Sequence, residues 1–318
     1  MQLYKDLILF IIGLLVIIKS ADLLTSGAEG ISRALRIPRI IIGLTIVSLG
    51  TTAPELSVSA FSSYMGHTGI AVGNALGSCL ANIGLILGIA AIIRPIEFIP
   101  KFIKEELLFL LASTAVLYLL ISDGRLGLVD GLFLLCLLTA FFAYIFSREM
   151  KTKKQNKQEP VSAGDSRINK SALMFLAGLL GVTLSARYAI IPSAVNFARL
   201  LNIPEILIGL TLVAIGTSLP ELFTALVASL KKMGDLAVGN IIGANILNIL
   251  WVLGFSSIIN PLSVDLATKR ITGPMVFFIT LLLLIFTRTR FRLTRKEGLF
   301  LLLIYIGYIF YIFKFAYN

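Results

Sequence analysis

Residues 43–56 read GLTIVSLGTTAPEL, and residues 209–222 read GLTLVAIGTSLPEL. Nine of the 14 positions are identical, at a constant offset of 166 residues. The same offset carries VGNALGSCLANI at 72–83 onto VGNIIGANILNI at 238–249, and Pro38 onto Pro204. A fainter echo relates Gly13-Leu-Leu to Gly178-Leu-Leu. A duplication kept only for packing would match best at apolar positions. Here the best-matched residues are polar or helix-breaking, so the repeat points to a site.

The sequence around the motifs is that of a membrane protein. The chain of 318 residues is 57% hydrophobic and only 14% charged, with a mean hydropathy of +0.94, whereas soluble domains carry about 25% charged residues. A spanning helix needs about 20 apolar residues. Hydropathy and turn signals place ten such helices near 4–30, 38–64, 69–93, 103–121, 126–147, 171–197, 204–230, 235–259, 271–287 and 296–315. The expected fold class is therefore an all-α polytopic membrane protein. The stretch 148–170, REMKTKKQNKQEPVSAGDSRINK, is strongly polar and reads as a flexible linker. It separates a first repeat, 1–147, from a second, 171–318. The run Leu7–Ile18 lacks a basic leading segment and a small-residue cleavage site, so it reads as part of a helix rather than a signal peptide.

The net charge of +11 needs no nucleic acid to explain it. With the linker side taken as cytoplasmic, 20 Lys and Arg residues fall on that side and six on the other. That bias sets orientation and puts both termini outside. Each repeat has an odd number of spans, so the two lie in opposite orientations. Inverted repeats place a binding site near the bilayer midplane and support alternating access. The short linker, without a regulatory domain, favours a prokaryotic plasma membrane. Cys79 and Cys136 lie in apolar stretches and read as small buried hydrophobes. His67, the single histidine, reads as a solvated loop residue.

Glu55 and Glu221 each follow a proline in mid-span. A carboxylate at that depth is costly and marks function. Pro54 and Pro220 remove one backbone hydrogen bond and block another, freeing carbonyls around Thr51 and Thr217. Such groups are tolerated in a membrane only where protein, water or an ion satisfies them. Two carboxylates with hydroxyls and free carbonyls make a site for a hard cation. Ca²⁺ suits it, taking six to eight oxygens in flexible geometry, whereas Mg²⁺ wants a tighter octahedron. Asn82 lies one turn after Ser78, and Asn82 and Asn248 are expected at the ion site through their amide oxygens. Asn74 and Asn240 are expected to serve packing and backbone bonding instead.

These residues identify a resemblance to the cation/Ca²⁺ exchanger superfamily, in particular to prokaryotic Na⁺/Ca²⁺ exchangers. It covers essentially the whole chain, and G-T-[ST]-x-P-E followed by G-N-x-x-G-[SA] occurs twice. The resemblance implies four ion sites in a diamond between the repeats. It implies that Glu55 and Glu221 bind Ca²⁺, helped by Thr51 and Thr217. Ser48, Thr52, Ser78, Ala214 and Ser218 would flank the coupling ion, and the first and sixth helices would slide to gate access. There would be no cofactor, the ions being cargo, and no obligatory protein partner. Two departures stand out. The family often carries an Asp at one of positions 82 and 248, and here both are Asn. Ser78 is matched by Ala244. Two acidic charges balance one Ca²⁺ against two H⁺ or two Na⁺, so the expectation is weakened Na⁺ coupling, with H⁺ as the competing ion.

Other charged residues read more plainly. Lys19 and Asp22, three apart on one helix, are expected to pair with each other, and Glu29 to be solvated; Arg187 stays unassigned. An intramembrane enzyme would need a nucleophile–base pair or a metal cluster, and neither H-E-x-x-H nor G-x-S-x-G occurs. A channel would favour rings of charge along an open path, not paired glutamates in inverted broken helices.

Overall fold

The computed structural model describes residues 2–97, 100–155, 166–200 and 214–317. Its helices are α1 (Gln2–Leu35), α2 (Arg39–Thr51), α3 (Ala53–Tyr64), α4 (Thr68–Ile93), α5 (Pro100–Leu120), α6 (Leu128–Gln155) and α7 (Arg167–Phe197), then α8 (Ala214–Thr217), α9 (Leu219–Leu230), α10 (Gly234–Ile259), α11 (Thr268–Thr287) and α12 (Arg295–Tyr317). Among the described residues, seven helices are long and apolar enough to cross a bilayer, and the α2–α3 pair makes an eighth if taken as one bent span. The architecture is that of a helical, multi-pass integral membrane protein. Residues 204–213 of the expected span 204–230 lie outside the described residues, Ala214 there being described in its backbone only; α8 and α9 supply the rest.

The breaks fall where the prolines put them. α2 and α3 meet at 43°, with Thr52 at φ −84° and ψ −5° just before the Ala53-Pro54 turn. Ser218 repeats this at φ −87° and ψ 6° before Leu219-Pro220. Pro54 and Pro220 thus sit in the first turn of a new helix, the one place where a missing N–H costs nothing.

Two helices form the centre. The apolar window of α10 is 94% buried and that of α4 is 72% buried, against 22% for α1. Glycine lets α2 lie directly on α10. A side chain at Gly239 would strike the Ile40 carbonyl, and one at Gly243 would strike the Leu44 carbonyl and Ser48. Such close approach is how small residues hold membrane helices together. α1 and α7 pack along their length, with Gly27 and Gly30 against Phe175 and Ser171, and Gly178 and Gly181 against Leu24 and Ser20.

Short antiparallel pairs tie the loops at the two ends. β1 (Ile96–Glu97) pairs with β4 (Arg292–Leu293), and β2 (Arg125–Leu126) with β3 (Leu262–Ser263). Helix α5 runs from β1 to β2, so the two ribbons mark opposite ends of the bundle.

Several local expectations are corrected. The expected linker 148–170 starts and ends as helix, because α6 continues to Gln155 and α7 begins at Arg167. Arg148 holds α6 to α5 beyond the apolar stretch, donating to Glu105 at 2.8 Å and Glu106 at 2.7 Å. Residues 156–165 lie outside the described residues. Asp22 pairs with Lys231 at 2.6 Å rather than with Lys19, which is exposed. Glu29 is bridged by Arg33 and Arg39 rather than simply solvated. Cys79 is buried, but Cys136 is exposed on the outer face of α6, where an apolar residue meets lipid. Arg187 lies over the ring of Tyr188, 5.6 Å from its centroid. His67 is exposed, as expected.

Candidate functional site

The two breaks bring the carboxylates under each other's hydroxyls. Thr52, at the α2–α3 break, donates to Oε1 of Glu221 at 3.5 Å. Ser218, at the α8–α9 break, donates to Oε1 of Glu55 at 3.3 Å and approaches the Ser78 hydroxyl at 3.2 Å. Each carboxylate therefore leans on a residue from the opposite motif. Both glutamates are 1% exposed.

A second layer crosses in the same way. Thr51 donates to Oδ1 of Asn240, and Thr217 to Oδ1 of Asn74, both at 3.2 Å. Asn74 in turn donates to the Glu55 carbonyl at 3.2 Å and to Ser59 at 2.9 Å. Asn74 and Asn240 thus join the motif hydroxyls in one hydrogen-bond network, beyond the packing and backbone bonding expected of them. Asn82 donates to Oδ1 of Asn245 at 2.9 Å, and Asn245 donates to the Cys79 carbonyl at 3.2 Å. Asn245 has no place among the site residues expected from sequence. Its signal was its mismatch in the repeat, where Cys79 stands opposite it.

The backbone is unusual at the same places. The helical ladder widens to π-type turns over Ala81–Leu87 and Asn248–Val252, around Asn82 and at Asn248. Turns of this kind occur often at functional sites. Ser48 is buried but donates to the Leu44 and Thr45 carbonyls of its own helix. Its proton is therefore spent locally, unlike those of Thr52 and Ser218.

What remains unbonded defines the chemistry. Oε2 of Glu55, Oε2 of Glu221 and Oδ1 of both Asn82 and Asn248 have no hydrogen-bond partner, and all four residues are 1% exposed. Buried acceptors without a donor are expensive. A hard cation satisfies carboxylate and amide oxygens together. Among the described residues no group of three or more His, Cys, Asp or Glu could hold a metal. The set is two charges plus neutral oxygens, which suits a weakly held hard ion and offers nothing to a soft one.

Comparison with known proteins gives the chain's relatives. The family described as sodium/calcium exchanger protein matches residues 5–147 and 170–314. The chain is 30% identical to the sodium/calcium exchanger MaX1 of Methanosarcina acetivorans, over 96% of this chain and 97% of that protein. It is 39% identical to the inner membrane protein YrbG of Escherichia coli K12, over 81% of each. Among solved structures, the sodium-calcium exchanger NCX_Mj soaked with zero Na⁺ and Ca²⁺ superimposes with a TM-score of 0.85 at 31% identity, over 96% of this chain and 98% of that one.

Proposed function

The chain belongs to the sodium/calcium exchanger protein family, and on that premise we propose that it is a secondary antiporter exchanging Ca²⁺ for Na⁺ at the Glu55–Glu221 site. The observation that carries this is the set of four buried, unpartnered oxygens on Glu55, Glu221, Asn82 and Asn248. Thr51, Thr52, Ser78, Thr217 and Ser218 complete the surroundings through cross-motif hydrogen bonds, with Ser48 on the flank. The relatives named as exchangers, MaX1 and NCX_Mj, support transport rather than catalysis, with the ions as cargo rather than cofactors.

The topology proposed is ten spans in two inverted five-helix repeats, residues 1–147 and 171–318, joined by a cytoplasmic linker over 148–170, with both termini outside. Pairings related by the repeat support it. Thr52 to Glu221 mirrors Ser218 to Glu55, Thr51 to Asn240 mirrors Thr217 to Asn74, and β1–β4 mirrors β3–β2. The membrane proposed is a prokaryotic plasma membrane.

The mechanism follows from charge. Two bare carboxylates in a dry, closed site repel each other and lack hydration. One Ca²⁺, or two monovalent cations, neutralises both. Only then can the occluded state form, and the opening switches between faces. An unloaded site stays open to one side, so the two fluxes are coupled. This is differential stabilisation of the occluded state by cargo.

A second reading, Ca²⁺/H⁺ exchange, is favoured by one observation: positions 82 and 248 are both Asn and position 244 is Ala, so the second motif offers the coupling ion fewer oxygens. The deciding measurement is ⁴⁵Ca²⁺ uptake into proteoliposomes loaded with Na⁺, K⁺ or choline, with and without a pH gradient. Uptake driven by internal Na⁺ supports Na⁺ exchange. Uptake that follows only the proton gradient replaces it with H⁺ exchange. Uptake with no gradient dependence sinks the antiporter reading.

A further inference from the structure

A cavity of about 330 Å³ opens at the end of the bundle marked by β1–β4, lined by Arg39, Arg94, Glu97, Ser229, Lys232 and Asp235. It is separate from the glutamate site. Asp235 is already engaged by Arg39 at 3.1 Å, and Glu97 is exposed. Among the described residues neither Arg94 nor Lys232 has an ion pair, and with Arg39 held by Asp235 the lining carries three basic side chains against two acidic ones.

The opposite end of the bundle supplies a control. The positions 166 residues away from Arg94, Glu97, Ser229 and Lys232 are Asn260, Ser263, Ser63 and Gly66. The backbone there is closely alike. Arg94 ends its helix at φ −145° and ψ 122°, and Asn260 at φ −153° and ψ 134°. Lys232 adopts φ 62°, and Gly66 adopts φ 81°. The side chains behave differently. Ser63 donates to the Ser256 carbonyl at 2.7 Å, Asn260 donates back to the Ser63 carbonyl at 3.3 Å, and Thr68 meets Ser263 at 2.6 Å. Short polar groups close that end on itself, while the other end holds long cations apart around a cavity. Lysine also occupies a left-handed position that glycine takes without strain. Strain accepted where the repeat shows an unstrained alternative is a reason to look for a function.

The surroundings point to the kind of anion. Ile93 and Leu230, beside these cations in sequence, are 44% and 60% exposed, so apolar surface for acyl chains adjoins the charge. This end also carries the larger share of the Lys and Arg residues. We propose that the cavity binds the phosphate of an anionic phospholipid from the leaflet on that side, with Arg94 and Lys232 as its contacts. Basic pockets between membrane helices recognise headgroups in this way. The choice of leaflet rests on the orientation proposed above; the binding itself does not rest on ion exchange.

The test uses the full-length protein extracted from vesicles of phosphatidylcholine and phosphatidylglycerol, with retained lipid read by native mass spectrometry. The variants are Lys232→Gly and Arg94→Asn, each borrowed from the other repeat and compatible with the local backbone. Wild type should retain phosphatidylglycerol over phosphatidylcholine. At about fivefold per basic contact, Lys232→Gly alone should weaken that preference roughly 5-fold and the double variant roughly 30-fold. Equal retention by wild type and Lys232→Gly overturns the proposal. So does thermal stabilisation of wild type by inorganic phosphate with none by phosphatidylglycerol, which would reassign the cavity to a soluble phosphate. The readout is lipid mass, so failure of the exchange reading would leave it unaffected.

Discussion

From their helix breaks onward the two Pro-Glu motifs share a backbone and differ in how well their polar groups are held. On the first side, the Asn74 amide has two acceptors, Ser59 among them, and Asn82 is fixed by Asn245. On the second side, Ala225 stands where Ser59 would be, and Nδ2 of Asn240 has no partner. Cys79 stands where Asn245 would be, and neither amide atom of Asn248 has one. A satisfied network is rigid, whereas an unsatisfied one can rearrange around a ligand. On the proposed function, the first motif is the fixed wall of the site and the second the wall that adapts to the ion. The repeat shares its frame, and the residues that differ between its two copies make the difference.

That contrast has a shared base, and the largest expected effect removes it. Glu55→Gln and Glu221→Gln should each reduce Ca²⁺ flux by at least about 100-fold, since each leaves a buried cation short of its counter-charge. ⁴⁵Ca²⁺ uptake, with elution volume as the folding control, checks this. Normal flux from either variant would remove that glutamate from the site.

The next effect separates the two walls directly. Asn248→Asp breaks no hydrogen bond and adds a third charge, so apparent Ca²⁺ affinity should rise roughly tenfold. Asn82→Asp replaces the donor to Asn245 with an acceptor and should cost about 1–3 kcal/mol of stability. Thermal unfolding and Ca²⁺ titration of both variants would show whether the walls differ; identical behaviour would erase the contrast.

Smaller still, Ser59→Ala should lower stability and Ala225→Ser should raise it, each by about 1 kcal/mol, because one removes and the other provides a partner for an asparagine amide. Shifts of the same sign in thermal unfolding would contradict the hydrogen-bond reading. Last, Ala244→Ser restores the hydroxyl opposite Ser78. It should lower the Na⁺ concentration for half-maximal uptake about threefold, the worth of a weak hydrogen-bonding oxygen. An unchanged Na⁺ dependence would place coupling away from this position.

Much of this was legible in the chain itself. Proline fixes its own φ and removes a donor, so Pro54 and Pro220 announced breaks wherever the surrounding helices went. Apolar length announced membrane spans, and the doubled motif announced paired carboxylates. Helix ends were less legible, because α6 outlasts its apolar stretch through the grip of Arg148 on Glu105 and Glu106, residues more than 40 positions away. The partner of Asp22 differs from the expected one for a related reason. Lys19 is near in sequence, but Lys231 is near in space.

The sequence by itself determined the helical membrane class, the helix breaks at Pro54 and Pro220 and the depth of Glu55 and Glu221, because these follow from local covalent geometry and hydropathy. Tertiary structure alone decided which hydroxyl serves which carboxylate, that Asn245 orients Asn82, and that Cys136 faces outward while Cys79 does not. It also decided that one end of the bundle closes on short polar groups while the other opens a basic cavity. Those outcomes depend on distances between residues far apart in the chain, and such distances exist only once the helices have packed.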